Sequence, residues 1–358
     1  MSAIQPAHGV LGRVPAETIA WLGEPDNPAV AVLAARLLTV ERDTAGLALL
    51  WGRRNEYAPV AAILSAQLPD GAWAAPSQDY RKYTGSLWQV LFLGELRANP
   101  DDDRVQRAAA YAFSRQLPDG SWSASNKRPS GSIPCLTASV GRSLALLGFE
   151  TDERVVAALA YCANLNRELG VPDCRQAVYG YQLNGYCHML TAKELLFLGE
   201  VPREVWPEGA AELAAACVGA MRDKEVMRCL PEGAGEFQEA VRTASAAERS
   251  GVREHFLAER APLRYAEKPG WLKFGFPLSY NSDALEALLA LASVGEPRRP
   301  EYQAALALVE SAADAQMRWT LRNSFNGKMI ADVEKRGRPS KWLTLRALTV
   351  LDHFDHLG

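Results

Sequence analysis

Apolar residues recur at helical spacing along almost the whole chain, and almost nowhere do they alternate as a strand would require. From Pro28 onward, Val30, Val32, Leu33, Ala35, Leu37 and Leu38 form one such face. Further periodic runs predict helices over 59–67, 83–96, 105–116, 135–147, 153–169, 186–198, 209–221, 280–294, 302–316 and 340–354. Ile19-Ala20-Trp21-Leu22 predicts a short helix in an arm over 1–26 that is otherwise marked by Pro and Gly. Taken in order, the runs pair into helical hairpins. The last has no downstream mate, so it is expected to pack beside the N-terminal helices and close a ring. Asp101–Asp103, Thr151-Asp152 and Asn281-Ser282 stand where N-caps belong. The stretch 223–268 departs from the pattern, because Lys224 to Arg260 spreads polar residues over most helical faces. It predicts an exposed helical insertion or a surface for a protein partner.

One heptapeptide organises the pattern. Gln67-Leu68-Pro69-Asp70-Gly71-Ala72-Trp73 returns 49 residues later as Gln116-Leu117-Pro118-Asp119-Gly120-Ser121-Trp122, so the chain contains an internal repeat. Each copy ends a periodic run, and Pro-Asp-Gly supplies a stop and a tight turn. The Gln amide can reach free backbone groups at a neighbouring helix end, and the Trp ring can cover the turn. Gln316-Met317-Arg318-Trp319 reads as a degenerate third copy that lacks the Gly. This Gln-x3-Gly-x-Trp unit resembles the QW repeat of squalene–hopene cyclases and related terpene cyclases, the prenyltransferase/squalene-oxidase repeat class. Protein prenyltransferase β subunits are similar in architecture. The resemblance implies an all-α fold, an α/α toroid or (α/α)6 barrel of about six hairpins, over a single domain 1–358 with the insertion at about 223–268.

Composition narrows the function classes. The chain has 358 residues, 48% of them hydrophobic and 23% charged, which is ordinary for a globular protein. A formal charge of −3 argues against a nucleic-acid partner. No apolar run is long enough for a transmembrane helix, and the N-terminus lacks a basic segment followed by an apolar core. A cytoplasmic protein is the expectation, with its six Cys as reduced thiols or ligands. No phosphate-cradling Gly motif is present.

Three loop segments are dense in polar and aromatic side chains and predict the wall of a pocket for a small molecule. The first carries Tyr80, Lys82 and Tyr83. The second carries Trp271, Lys273, Phe274, Tyr280 and Asp283. The third carries Asn323, Lys328 and Trp342. Asp283, Lys273, His188 and Tyr83 are the candidate catalytic groups, and the remaining residues are candidate substrate contacts. Asp101-Asp102-Asp103 precedes a helix and reads as a cap, not as the Asp-x-Asp-Asp acid with which class II terpene cyclases protonate an alkene.

Cys187-His188 predicts a zinc pair, with Cys174, Cys135 or the oxygen of Asp173 as a third ligand. Prenyltransferase β subunits bind zinc through Asp, Cys and His, but their Asp and Cys are one residue apart, whereas Asp173 and Cys174 are adjacent. Lanthionine cyclases resemble the chain in fold class and use a Cys-His pair, but Met189 stands where their Gly follows. The competing reading of the pair is a buried thiol beside a hydrogen-bonded imidazole. The leading expectation is an enzyme acting on a small, largely apolar, isoprenoid-like substrate by terpene-cyclase-like or prenyl-transfer chemistry. The alternatives are a zinc-dependent thiol or Lewis-acid enzyme, and a non-catalytic binding toroid.

Overall fold

The computed structural model describes residues 9–38, 44–124, 132–173, 187–245 and 247–356. Helices dominate, and the described strands are two-residue pieces. The chain opens with α1 (Ala16–Leu22), α2 (Pro28–Leu37), α3 (Thr44–Gly52) and α4 (Ala58–Ser65). Next come α5 (Ser86–Glu95), α6 (Asp103–Ser114), α7 (Pro134–Leu144), α8 (Glu153–Leu169), α9 (His188–Glu200) and α10 (Ala210–Asp223). The helices α11 (Ala234–Thr243), α12 (Arg249–Arg260), α13 (Ala284–Ser293), α14 (Gln303–Ser311) and α15 (Lys341–His356) complete it. None of the described helices is long and apolar enough to cross a membrane.

Side-chain pattern sorts these helices into two kinds. Every residue of α5 is buried, and so are nearly all of α7 and most of α9, α13 and α15. A helix apolar on all sides must be covered on all sides. Accordingly α5 lies against α7, α7 against α9, α9 against α13, α13 against α15, and α15 against α2. The amphipathic helices cover them from outside: α6 on α5, α8 on α7, α10 on α9 and α14 on α13. On α6, Val105, Ala108, Ala109, Ala112 and Phe113 are buried, while Gln106, Arg107 and Ala110 are exposed.

The heptapeptide turns join outer helices to inner ones. The Trp73 indole N–H donates to the Ile63 carbonyl (2.7 Å), and its backbone N–H donates to the Ser86 hydroxyl (3.1 Å). Trp122 repeats this on Ala112 (2.8 Å) and Thr137 (3.0 Å). Each Trp thus ties its own outer helix to the next inner one. The Gln amide does what its position suggests: Gln67 Nε2 donates to the carbonyls of Gly71 (3.2 Å) and Arg104 (2.9 Å), and Gln116 Nε2 to those of Gly120 and Arg154 (2.8 Å each). Arg104 and Arg154 lie in the first turns of α6 and α8, so each turn is stapled to the following outer helix. Gly71 and Gly120 have φ of 90° and 87°, and a Cβ on either would strike the Arg107 or Ala157 carbonyl oxygen at 2.4 Å.

The third copy is real but shifted from the expected register. Trp319 donates to the Val309 carbonyl (2.8 Å) and to the Thr344 hydroxyl (3.0 Å), matching Trp122 bond for bond. Counting back from the Trp, Met317 holds the Gly position, with φ of 54°, and Ala313 holds the Gln position. Gln316 therefore corresponds to Asp70, not Gln67. Its carbonyl accepts from the Thr18 hydroxyl (2.6 Å), and Arg318 donates to Thr18 (3.0 Å) and to the Glu17 carbonyl (3.3 Å). The last turn is thereby fastened to α1, and α15 packs beside α2 as the unpaired final run predicted.

Several boundaries differ from the pattern. Helix α5 begins at Ser86 and α13 at Ala284, because Tyr83 (φ 70°) and Ser279 (φ 49°) hold left-handed backbone that a helix cannot continue through. Helix α14 ends at Ser311 because the third turn begins there. The sequential partner of α2 is α3, which the pattern did not reveal; its Leu47-Ala48-Leu49-Leu50-Trp51 run has no polar face, and Leu49 is exposed. The insertion is narrower than 223–268. Val226, Met227 and Cys229 are buried in the main core, and the departure is bounded by an antiparallel ribbon of β1 (Leu230–Pro231) and β2 (Tyr265–Ala266). Beyond the ribbon, α11 and α12 share a small apolar cluster of Phe237, Val241 and Phe256.

Trp122 is fully buried, whereas Trp73 is only half-buried. Trp122→Ala should destabilise by about 3–5 kcal/mol, and Trp73→Ala by less. Chemical denaturation of both variants checks this ordering; equal midpoints for Trp122→Ala and the wild type would refute the stapling role.

Candidate functional site

Loops that enter the N-terminal ends of α5, α13 and α15 meet at one place. Trp88, in the first turn of α5, is the hub. Its ring lies 5.1 Å from Tyr83, 5.5 Å from Tyr280, 6.1 Å from Tyr80 and 6.4 Å from Phe325, centroid to centroid. Tyr83 and Phe325 are 4.7 Å apart, and Tyr280 stacks on Phe325 at 6.4 Å. Two exposed lysines border the cluster: Lys82 Nζ is 4.8 Å from the Tyr280 ring centre, and Lys328 Nζ is 5.6 Å from that of Tyr83. The three loop segments predicted to share a pocket thus converge through Tyr80, Lys82, Tyr83, Tyr280 and Lys328. Trp88 and Phe325 were missed, the first because it reads as helix core.

A slot runs from this cluster between α5 and α7. Tyr80, Trp88 and Tyr280 line one part, and Cys135, Ser139 and Ser279 another, over Leu91 and Leu136. It is narrow, with an open volume of about 10 Å³, enough for one water. Burial pushes the Tyr80 hydroxyl up to about 12, so it stays protonated.

The other predicted residues lie elsewhere. Lys273 is exposed. Phe274 is buried, and its carbonyl accepts from the Asn323 backbone N–H (3.1 Å). Trp342 is buried and stacks on Phe276 at 4.9 Å. Trp271 is buried against the His188 ring at 4.5 Å.

Cys187 stands immediately before α9, and both it and His188 are buried. His188 Nε2 donates to the Val226 carbonyl at 2.7 Å, and burial drives its imidazole down to about 4. The ring is therefore neutral. Cys174 lies outside the described residues. Cys135 belongs to the aromatic slot. Among the described residues, no three His, Cys, Asp or Glu side chains are grouped to hold a metal ion. The described part of the proposed ligand set thus does not make up a zinc centre.

Asp283 proves to be a structural cap. One carboxylate oxygen accepts from the Glu286 backbone N–H at the start of α13 (2.8 Å), the other from the Gly275 N–H (2.8 Å). Burial, and then the nearby Glu286, push its carboxyl up to about 7 despite these two donors. Asp102 likewise caps α6 and accepts from the Arg104 N–H (2.9 Å), as its position before that helix predicted.

An ion cluster between the inner helices was not anticipated. Glu95 of α5 pairs with Arg142 of α7 and Arg346 of α15. Lys193 of α9 donates to both oxygens of Glu286 of α13, at 2.6 and 2.7 Å. Ser282 also donates to Glu286, and Cys217 donates to Glu194 at 3.4 Å. Burial alone would raise the Glu95 carboxyl; Arg142, Arg346 and Lys193 outweigh it and hold it down to about 2. The signal was present in the sequence as single charges inside helices otherwise apolar all round.

Two outcomes follow from these buried carboxylates. Glu95→Gln removes the buried charge that Arg142 and Arg346 share, leaving Arg142 with the more distant Glu200 carboxylate (3.5 Å), and should destabilise by about 3–5 kcal/mol in denaturant unfolding. Because the folded Glu95 carboxyl lies below its ordinary 4.5, its stabilisation is present above that pH and is lost as pH falls towards 2; the variant should lack this acid-limb loss. Asp283 has the opposite sign. Its folded carboxyl lies above the ordinary 3.8, so its contribution falls as pH rises from 4 to 7, and Asp283→Asn, which keeps one capping oxygen, should flatten stability over that window. A melting-temperature series from pH 3 to 8 on both variants measures each effect.

No protein-family model matches the chain, and no curated protein matches it closely enough to indicate a relative.

Proposed function

We propose that the helices close into an α/α toroid whose one mouth binds a small, largely apolar, isoprenoid-like substrate, and that the protein is a prenyl-transfer enzyme. The observation that carries this reading is the convergence of Tyr80, Tyr83, Trp88, Tyr280 and Phe325 on one slot, with Lys82 and Lys328 at its exposed rim. Succession from α5 through α7, α9, α13 and α15 to α2, and the fastening of the third turn to α1, support closure of the ring.

The geometry favours transfer over cyclisation by protonation. Protonating an alkene needs an acid that faces the substrate. Both Asp283 oxygens already accept backbone N–H bonds, and Asp102 caps an outer helix. Prenyl transfer needs no such acid. An allylic C–O bond breaks, its electron pair leaves with diphosphate, and an alcohol oxygen captures the allylic cation while its O–H proton passes to the released diphosphate. Ring faces stabilise that cation through their quadrupoles. The rim lysines neutralise the departing anion, and the described residues that line the slot, none of them charged, suit the apolar chain.

Equilibrium dialysis with geranyl diphosphate tests the assignment. Wild type should bind it, and the double variant Lys82→Gln/Lys328→Gln should bind about tenfold more weakly, as expected for two exposed charge contacts. Pyrophosphate release in the presence of an alcohol acceptor should accompany binding. Binding without release would reduce the protein to a binding toroid, and no binding by the wild type would refute the reading.

A further inference from the structure

The slot contains a second, separate feature. Three residues that line it carry buried polar atoms without a hydrogen-bond partner: Trp88 Nε1, Ser139 Oγ and Ser279 Oγ. The residues are 1%, 7% and 4% exposed. One such atom is an ordinary imperfection, but here three belong to residues that line a single small space. They come from three elements: α5, α7 and the loop before α13. Ser279 is held there by left-handed backbone, at φ 49°, which a non-glycine residue adopts only when its surroundings impose it.

Their chemistry is specific. The indole N–H can only donate, and each serine hydroxyl can donate or accept. Among the described residues that line the slot, none is Lys, Arg, Asp or Glu. Such a site has nothing to balance an ionic group, since a buried charge without a counter-charge is strongly disfavoured. It matches a neutral oxygen, which accepts from the indole and exchanges hydrogen bonds with the serines. The rings of Tyr80, Trp88 and Tyr280 fit an apolar body attached to that oxygen.

We propose that the slot between α5 and α7 is a binding site for the hydroxyl or carbonyl oxygen of a neutral, otherwise apolar molecule, held by Trp88, Ser139 and Ser279. This rests on the reading of the slot as an apolar-ligand site, and it assigns the acceptor of the prenyl group to the class of apolar alcohols, whose O–H proton leaves with the released diphosphate; a carbonyl compound would bind there without accepting the group. The anionic donor head belongs at the lysine rim and the neutral oxygen inside. The half-buried Tyr80 and Tyr280 form the wall that must turn outward to admit anything larger than water.

The test uses geraniol and its deoxygenated analogue 2,6-dimethylocta-2,6-diene, two probes that differ by one oxygen. Equilibrium dialysis measures both on the full chain and on Trp88→Phe, Ser139→Ala and Ser279→Ala, with melting curves to confirm folding. Wild type should bind the alcohol about tenfold more tightly than the hydrocarbon. Each variant should lower that ratio about three- to fivefold, the loss of one net hydrogen bond, and the two serine variants, which keep every ring of the slot, should leave hydrocarbon affinity within about twofold. A wild-type ratio near one, or a ratio unchanged in two or more variants, overturns the oxygen site and leaves the apolar slot standing. Hydrocarbon affinity lost in parallel marks the three residues as structural and overturns it too. If neither probe binds wild type, the apolar-ligand reading falls and this inference with it.

Discussion

Everything else in the molecule hangs on one bonding pattern, a Trp that donates its indole N–H to the carbonyl ten residues back and its backbone N–H to a hydroxyl on the next inner helix. Three copies do this, at Trp73, Trp122 and Trp319. A helix end leaves carbonyls unsatisfied, and burying such an end without partners is costly. The indole satisfies one carbonyl and covers the turn with a large apolar surface. The second bond fixes where the next inner helix begins. Geometry at each hinge then decides which loops gather at the N-terminal ends of α5, α13 and α15.

The turn tolerates different residues provided that its backbone is kept. Gly71 and Gly120 are required where a neighbouring carbonyl oxygen sits 2.4 Å from any Cβ. Met317 adopts a similar left-handed conformation in the third copy, at some strain. Asp314 there supplies the oxygen that Asp70 and Asp119 supply in the other two, accepting from the backbone N–H before the Trp. The repeat is therefore a conformation first and a sequence second.

The buried helices are not held together by apolar contact alone: ions pair between them, Glu95 with Arg142 and Arg346, and Lys193 with Glu286. A buried ion pair adds little net stability compared with well-packed apolar residues, but breaking one is severe. The cluster thus ties together the helices that contribute its partners.

Periodicity was enough to show a mostly helical chain, most of its hairpins and the caps at Asp102 and Asp152, because these depend on spacing within one segment; the cap of α13 is Asp283 and not the expected Asn281-Ser282. It also singled out three loops rich in aromatic and charged residues, and rings from all three meet. It could not show which of their residues meet. Trp88 and Phe325 joined the cluster while Lys273, Trp271 and Trp342 did not, because a left-handed residue at 83 or 279 reorients the chain in a way no hydropathy pattern records. Nor could it show that both Asp283 oxygens are occupied, or that His188 is committed to Val226, since those partners are fixed by packing. Local order follows from the chain itself; which polar atoms are left without a partner is decided only when distant segments close on one another.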